Sequence, residues 1–217
     1  MSIQHSEKTL NLEQLQSRFA QVAEFMAPRI ELSDGTLGYR LTATTTLTIK
    51  TGAAPFEPDS PEETIVFDVQ DCEVKVPDPV LTTDGALRFD IEIFRIVSES
   101  VSTTLFGTEV PLTMKVGRGV DPMIRPTFGR FEIPYGSSFG AQHLVSTQRV
   151  NLEVETPIGT LRNREPAIMQ ANVNQIPPAT AYVQQGLVPM YDATGNIVVT
   201  KTNASSAAEL DPRYHTV

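Results

Sequence analysis

The stretch YRLTATTTLTIK, Tyr39 to Lys50, decides the fold class. In an extended chain Tyr39, Leu41, Ala43, Thr45, Leu47 and Ile49 share one face. Arg40, Thr42, Thr44, Thr46, Thr48 and Lys50 share the other. Such sustained period-two alternation suits a half-buried β-strand and gives a helix no apolar stripe. Threonine and isoleucine are stiff at χ1 and pack well on a pleated surface, so local preference agrees with the pattern.

Upstream, Leu12, Leu15, Phe19, Val22 and Met26 follow a three–four spacing, which predicts one amphipathic helix stopped by Pro28. Its narrow stripe suits packing on a sheet face or plugging one end of a barrel. Two heptads are too few to demand a coiled-coil seam between subunits. Downstream, Pro55, Pro58 and Pro61 with interspersed acids predict an exposed loop. Ile65, Phe67 and Val69 then alternate, and the apolar phase slips by one residue to Cys72, Val74 and Val76. A slip of that kind predicts a β-bulge. Asp34-Gly35 and Asp84-Gly85 are turn signals. Leu87 to Ile93 reads as the next strand, followed by segments at 96–105, 110–116, 144–155, 167–176 and 197–201.

Eight or nine short strands with no helical pattern between them disfavour a parallel βαβ plan. The expectation is all-β: an antiparallel β-sandwich or partly closed β-barrel, with one N-terminal α-helix and a flexible C-terminal tail. The chain divides into a helix at 1–28, a single β domain at 29–202 and the tail at 203–217, which is small, polar and unpatterned.

Composition narrows the function classes. A net charge of -9 and a pI near 4.8 disfavour nucleic acid and anionic membranes as partners. Cys72 is the single cysteine, so no intramolecular disulfide forms. No apolar run reaches the length of a membrane span, and no leader-like segment stands near Met1, so the expected location is cytoplasmic. His5, His143 and His215 lie far apart and Cys72 has no cysteine companion, so neither a metal site nor a cofactor is expected.

The segment from Gly117 to His143 stands out. It carries Arg118, Arg125 and Arg130 among Phe128, Phe131, Tyr135 and Phe139, and it is rich in glycine. Arginine with aromatics on a long connection is the composition of a contact surface, which makes Arg125, Phe128, Arg130, Phe131, Tyr135 and His143 the candidate binding residues. The alternative is a strand pair with wide turns over an open end of the core. Gly136, Ser137, Ser138, Phe139 and Gly140 spell a nucleophile-elbow pattern, but the elbow needs an α/β sheet that nothing here predicts. Asp68, Asp90 and Glu92 read as solvated face charges rather than as an acid–base pair. Asp192 to Asn196 reads as a turn rather than a calcium loop.

The function expected first is therefore a non-catalytic binding or assembly protein, with a protein partner or a homo-oligomer as its target. The alternative is a barrel holding an apolar small molecule near the same segment, as a carrier or a cyclase- or isomerase-like enzyme, since such sites leave no motif.

Overall fold

The computed structural model describes residues 16, 17, 20, 22, 23, 25–135 and 144–215. Its strands are β1 (Ile30–Glu31), β2 (Leu37–Thr51), β3 (Glu62–Lys75), β4 (Val80–Leu81), β5 (Leu87–Ser102), β6 (Val110–Val116) and β7 (Thr127–Ile133). They continue as β8 (Leu144–Val150), β9 (Leu152–Thr156), β10 (Gly159–Asn163), β11 (Ala167–Val173), β12 (Tyr182–Gln185), β13 (Val188–Tyr191) and β14 (Ile197–Leu210). Every strand pairing is antiparallel, so the all-β expectation holds.

Four long strands, β14, β2, β3 and β5, lie side by side and form the backbone of the sheet. The outer edge of β5 is divided: Leu87–Ile93 pairs with β7, and Ile96–Ser102 pairs with β6. From β6 the sheet continues through β9, β10 and β13 to the first half of β14; from β7 it continues through β8, β11 and β12 to the second half. The sheet thus curls and returns to β14, which also pairs with β2. The β10–β13 and β12–β14 links are each only two residue pairs wide, so the sheet is partly ringed and not a closed barrel.

Bulges set this curvature. Leu41 opposes Cys72 while Ala43 opposes Val69, leaving an extra residue on β3 where the apolar phase slips. A second irregularity at Phe94 moves the inward face of β5 from Phe89 and Ile91 to Ile96 and Ser98, at the point where β5 changes partners. A third lies in β14 between Lys201 and Asn203. At Gly38 the backbone of β3 comes so close that a Cβ would lie 2.1 Å from the Val74 carbonyl oxygen.

The long strands extend beyond their sequence-predicted limits. The segments at 87–93 and 96–105 join as β5, because the Phe94 bulge breaks the pattern without breaking the strand. The segment at 144–155 divides into β8 and β9 at Asn151. Part of the 117–143 connection is β7, as its strand-pair alternative has it. The flexible tail expected from residue 203 needs correction: 203–210 completes β14, and 211–215 turns back on β2. There Asp211 N–H donates to the Arg40 carbonyl, and His215 Nε2 accepts from Arg40 N–H at 3.3 Å. Alternating small residues, Ala204, Ser206 and Ala208 against outward Ser205, Ala207 and Glu209, gave no contrast from which to read a strand.

Of the N-terminal helix, 16, 17, 20, 22, 23 and 25 are described as helical, with Val22 and Phe25 buried; Leu12, Leu15 and Phe19 lie outside the described residues. Past the helix, Ala27 N–H donates to the Ile176 carbonyl and Ile176 N–H to the Phe25 carbonyl, strapping this segment to the 174–181 loop.

Candidate functional site

Inside the ring lies a cavity of about 110 Å3. Because β2 alternates in phase along its length, Tyr39, Leu41, Ala43, Thr45 and Leu47 all face it. The opposite walls come from Met114 and Val116 of β6, Leu152 of β9, Gln148 and Val150 of β8, and Met169 of β11. Tyr182 of β12 and Lys201, Ala204 and Ser206 of β14 close the circle. A single buried water needs roughly a tenth of that space, and an apolar cavity of about 150 Å3 accommodates benzene, so the room suits one compact apolar group.

The polar groups of this wall are mostly engaged with one another. Thr45 Oγ1 and Ser206 Oγ lie 2.9 Å apart, Tyr182 Oη and Ser146 Oγ 2.9 Å apart, and Tyr39 Oη donates to the Ala27 carbonyl at 2.8 Å. Burial pushes the Tyr39 phenol up to about 12 against the opposing charge of Arg29, and raises that of Tyr182 despite its bonds to Ser146 and Gln148. Burial, with Asp71 and Glu73 nearby, pushes the Cys72 thiol up to about 12, so this cavity-facing cysteine stays a thiol at neutral pH.

Lys201 differs from all of these. It is 2% exposed, and simple alternation along β14 places it in phase with Val199 on the interior side, just before the bulge. It borders both the main cavity and a smaller one of about 20 Å3 walled by Ile49, Ile65, Phe106 and Met190. No Asp or Glu lines either space, and no described residue makes a hydrogen bond or ion pair with Nζ. Burial alone brings its amine down to about 7.

The residues singled out from sequence lie elsewhere. Arg125 Nη2 donates to the Asn163 carbonyl at 2.6 Å, Phe128 is exposed on β7, and Arg130 pairs with Asp90 at 2.8 Å. Phe131 is buried, with its ring stacked on Phe89 at 4.6 Å. Tyr135 packs against Gly85. None of these five borders the cavity; His143 and Ser138 lie outside the described residues. Asp90 also holds Arg88, and Glu92 holds Arg118, so both acids serve as ion-pair partners. Asp192 Oδ1 accepts from the N–H groups of Thr194 and Asn196, which makes that loop a turn.

On one side the cavity wall is thin. Ile176, Pro177, Pro178 and Ala208 border both the cavity and an outer groove that also touches Phe25, Met26 and Ala27. No described helix is long and apolar enough to cross a membrane.

These features define a ringed antiparallel β fold around an apolar cavity. The same class of fold is found in a solved structure, that of DynF from the dynemicin biosynthesis pathway of Micromonospora chersina. The two chains superpose with a TM-score of 0.62 at 17% identity, over 86% of this chain and 88% of the other. No family model matches the sequence, and no curated protein matches it either.

Proposed function

We propose that this protein holds a small apolar molecule inside the ringed sheet, as a carrier or as an enzyme of the cyclase or isomerase kind. The observation that carries this reading is the apolar cavity inside the ring with a few inward polar groups, the usual make-up of a small-molecule site. The likeness in fold to a protein of a biosynthetic pathway supports it. Both favour it over partner binding through the 117–143 segment, whose described candidate residues do not border the cavity. The thin wall beside Ile176 to Pro178 is the way in that the geometry suggests, with the strap at 25–27 lying across it.

Ligand-observed fluorine NMR with fluorobenzene tests the reading. Saturable one-to-one binding is expected, and Ala43→Leu, which fills the cavity from the middle of β2, should abolish it in a folded protein. Absence of binding, or binding indifferent to Ala43→Leu, would overturn the proposal.

A further inference from the structure

The buried amine of Lys201 is not needed for the sheet, since its neighbours on the inner face of β14 are Val199 and Ala204 and an apolar side chain would fill the same place. Its stem is enclosed, its nitrogen has no partner among the described residues, and it stands at the junction of the two cavities. We propose that Lys201 captures a small apolar aldehyde or ketone as an imine, an inference that rests on the cavity being a ligand site.

The alternative for an unpaired amine is an ion pair with a ligand carboxylate, and the surroundings argue against it. A buried ion pair is favourable only when further hydrogen bonds satisfy the remaining lone pairs. Here Tyr39 donates to the Ala27 carbonyl and Tyr182 to Ser146, and the Thr45–Ser206 pair keeps a single hydroxyl hydrogen for a ligand. A carboxylate would meet one ammonium and little else. A carbonyl compound brings no charge and requires none. The neutral amine attacks the carbonyl carbon, and a proton passes from nitrogen to oxygen to give the carbinolamine. Loss of water then carries away the carbonyl oxygen with both amine hydrogens and leaves the C=N bond. Apolar surroundings favour the unprotonated amine that this attack requires.

The experiment is reductive trapping with 4-fluorobenzaldehyde and cyanoborohydride at neutral pH, read by intact mass and peptide mapping. Besides Lys201 the competing amines are Lys8, Lys50, Lys75, Lys115 and the α-amino group, which peptide mapping separates from Lys201. The expected result is one adduct per chain at Lys201, formed at least about tenfold faster than at the other lysines, because an amine titrating near 7 is far less protonated there than an ordinary one. Lys201→Met, shown to be folded by circular dichroism, should lose that adduct. Wild-type protein that binds fluorobenzene but gives no adduct at Lys201 would overturn the imine and leave the cavity reading standing. Binding of 4-fluorobenzoate that depends on Lys201, with no trapping of the aldehyde, would overturn it in favour of the ion pair. If neither fluorobenzene nor the aldehyde enters, the cavity reading fails and the imine with it.

Discussion

Replacing Lys201 by methionine should make the protein more stable. The two side chains are similar in length and both unbranched, so the apolar stem contacts survive, while the desolvated amine is removed. The gap between an ordinary lysine at 10.5 and about 7 here sets the scale. At about 1.4 kcal/mol per pH unit it gives a ceiling of roughly 5 kcal/mol near neutrality. Local relaxation and water entering the cavity reduce this, and about 2–4 kcal/mol is expected. The pH dependence is the sharper signature. Below about 7 both folded and unfolded states carry the charge, so the wild type bears the whole penalty. As pH rises from there towards 10.5 the unfolded chain still binds the proton that the folded one has lost, and wild-type stability recovers. The other titratable groups lining the cavity, Tyr39, Tyr182 and Cys72, are all shifted upwards and are common to both proteins, so they cancel in the comparison. Urea unfolding of both proteins across the window should therefore show the advantage of Lys201→Met shrinking by about 1.4 kcal/mol for each pH unit. A variant no more stable than wild type at neutral pH, or an advantage that does not change with pH, would refute a desolvated, unpaired amine.

Three further perturbations probe the frame around the site. Tyr39→Phe removes the bond to the Ala27 carbonyl that ties down the strap; a loss of about 1 kcal/mol should speed ligand exchange roughly fivefold, and unchanged exchange by line-shape NMR would place the entrance elsewhere. Gly38→Ala drives a Cβ into the Val74 carbonyl and should cost about 3 kcal/mol or more in denaturant unfolding, whereas Gly52→Ala, with no neighbour within 4 Å and only its φ of +83° to strain, should cost about 1 kcal/mol. Glu63 is partly desolvated, yet the Ser102 hydroxyl and the N–H groups of Thr103, Leu105 and Thr104 outweigh that and hold its carboxyl down to about 2. Its contribution is thus present above the ordinary carboxylate range and lost as pH falls towards 2. Glu63→Gln should destabilise at neutral pH by about 1 kcal/mol, a figure kept small by solvent screening, and the difference should close in acid.

Where a strand keeps one phase and contrasts its two faces, sequence suffices. β2 alternates without interruption from Tyr39 to Ile49, and its inward residues are the ones the pattern names. The bulge in β3 was also legible, because the residues on both sides of it are strongly apolar and the slip from Val69 to Cys72 is unambiguous. Short strands such as β10, β12 and β13 were not legible. Four or five residues of mixed polarity carry too little pattern, and their place is fixed by pairing with partners distant in the chain. The aromatic and arginine content of 117–143 marked a real departure in composition. Its described arginines and Phe131 nevertheless serve ion pairs, a carbonyl contact and core packing.

The cavity's most unusual group was hidden by the device that positions it. Ile197, Val199 and Lys201 stand on one face by simple alternation, so the sequence did hold a signal that the lysine points inward. Two features masked it. The phase changes immediately afterwards, between Lys201 and Asn203, and the inward row then runs through Ala204, Ser206 and Ala208, which are too small to register as a core face. A lysine at an apparent strand end is ordinarily a solvated terminus. Here β14 continues for nine residues beyond it, paired on both sides with β2 and β12, and that continuation moves Lys201 from an edge to the interior. The same smallness leaves the space in front of the amine unfilled, since Ala43, Ala204 and Ala208 border the cavity where larger side chains would close it. Small residues and a desolvated lysine each lower stability when considered alone. Found together on adjacent strands, they are the combination that the proposed occupant of the cavity would account for.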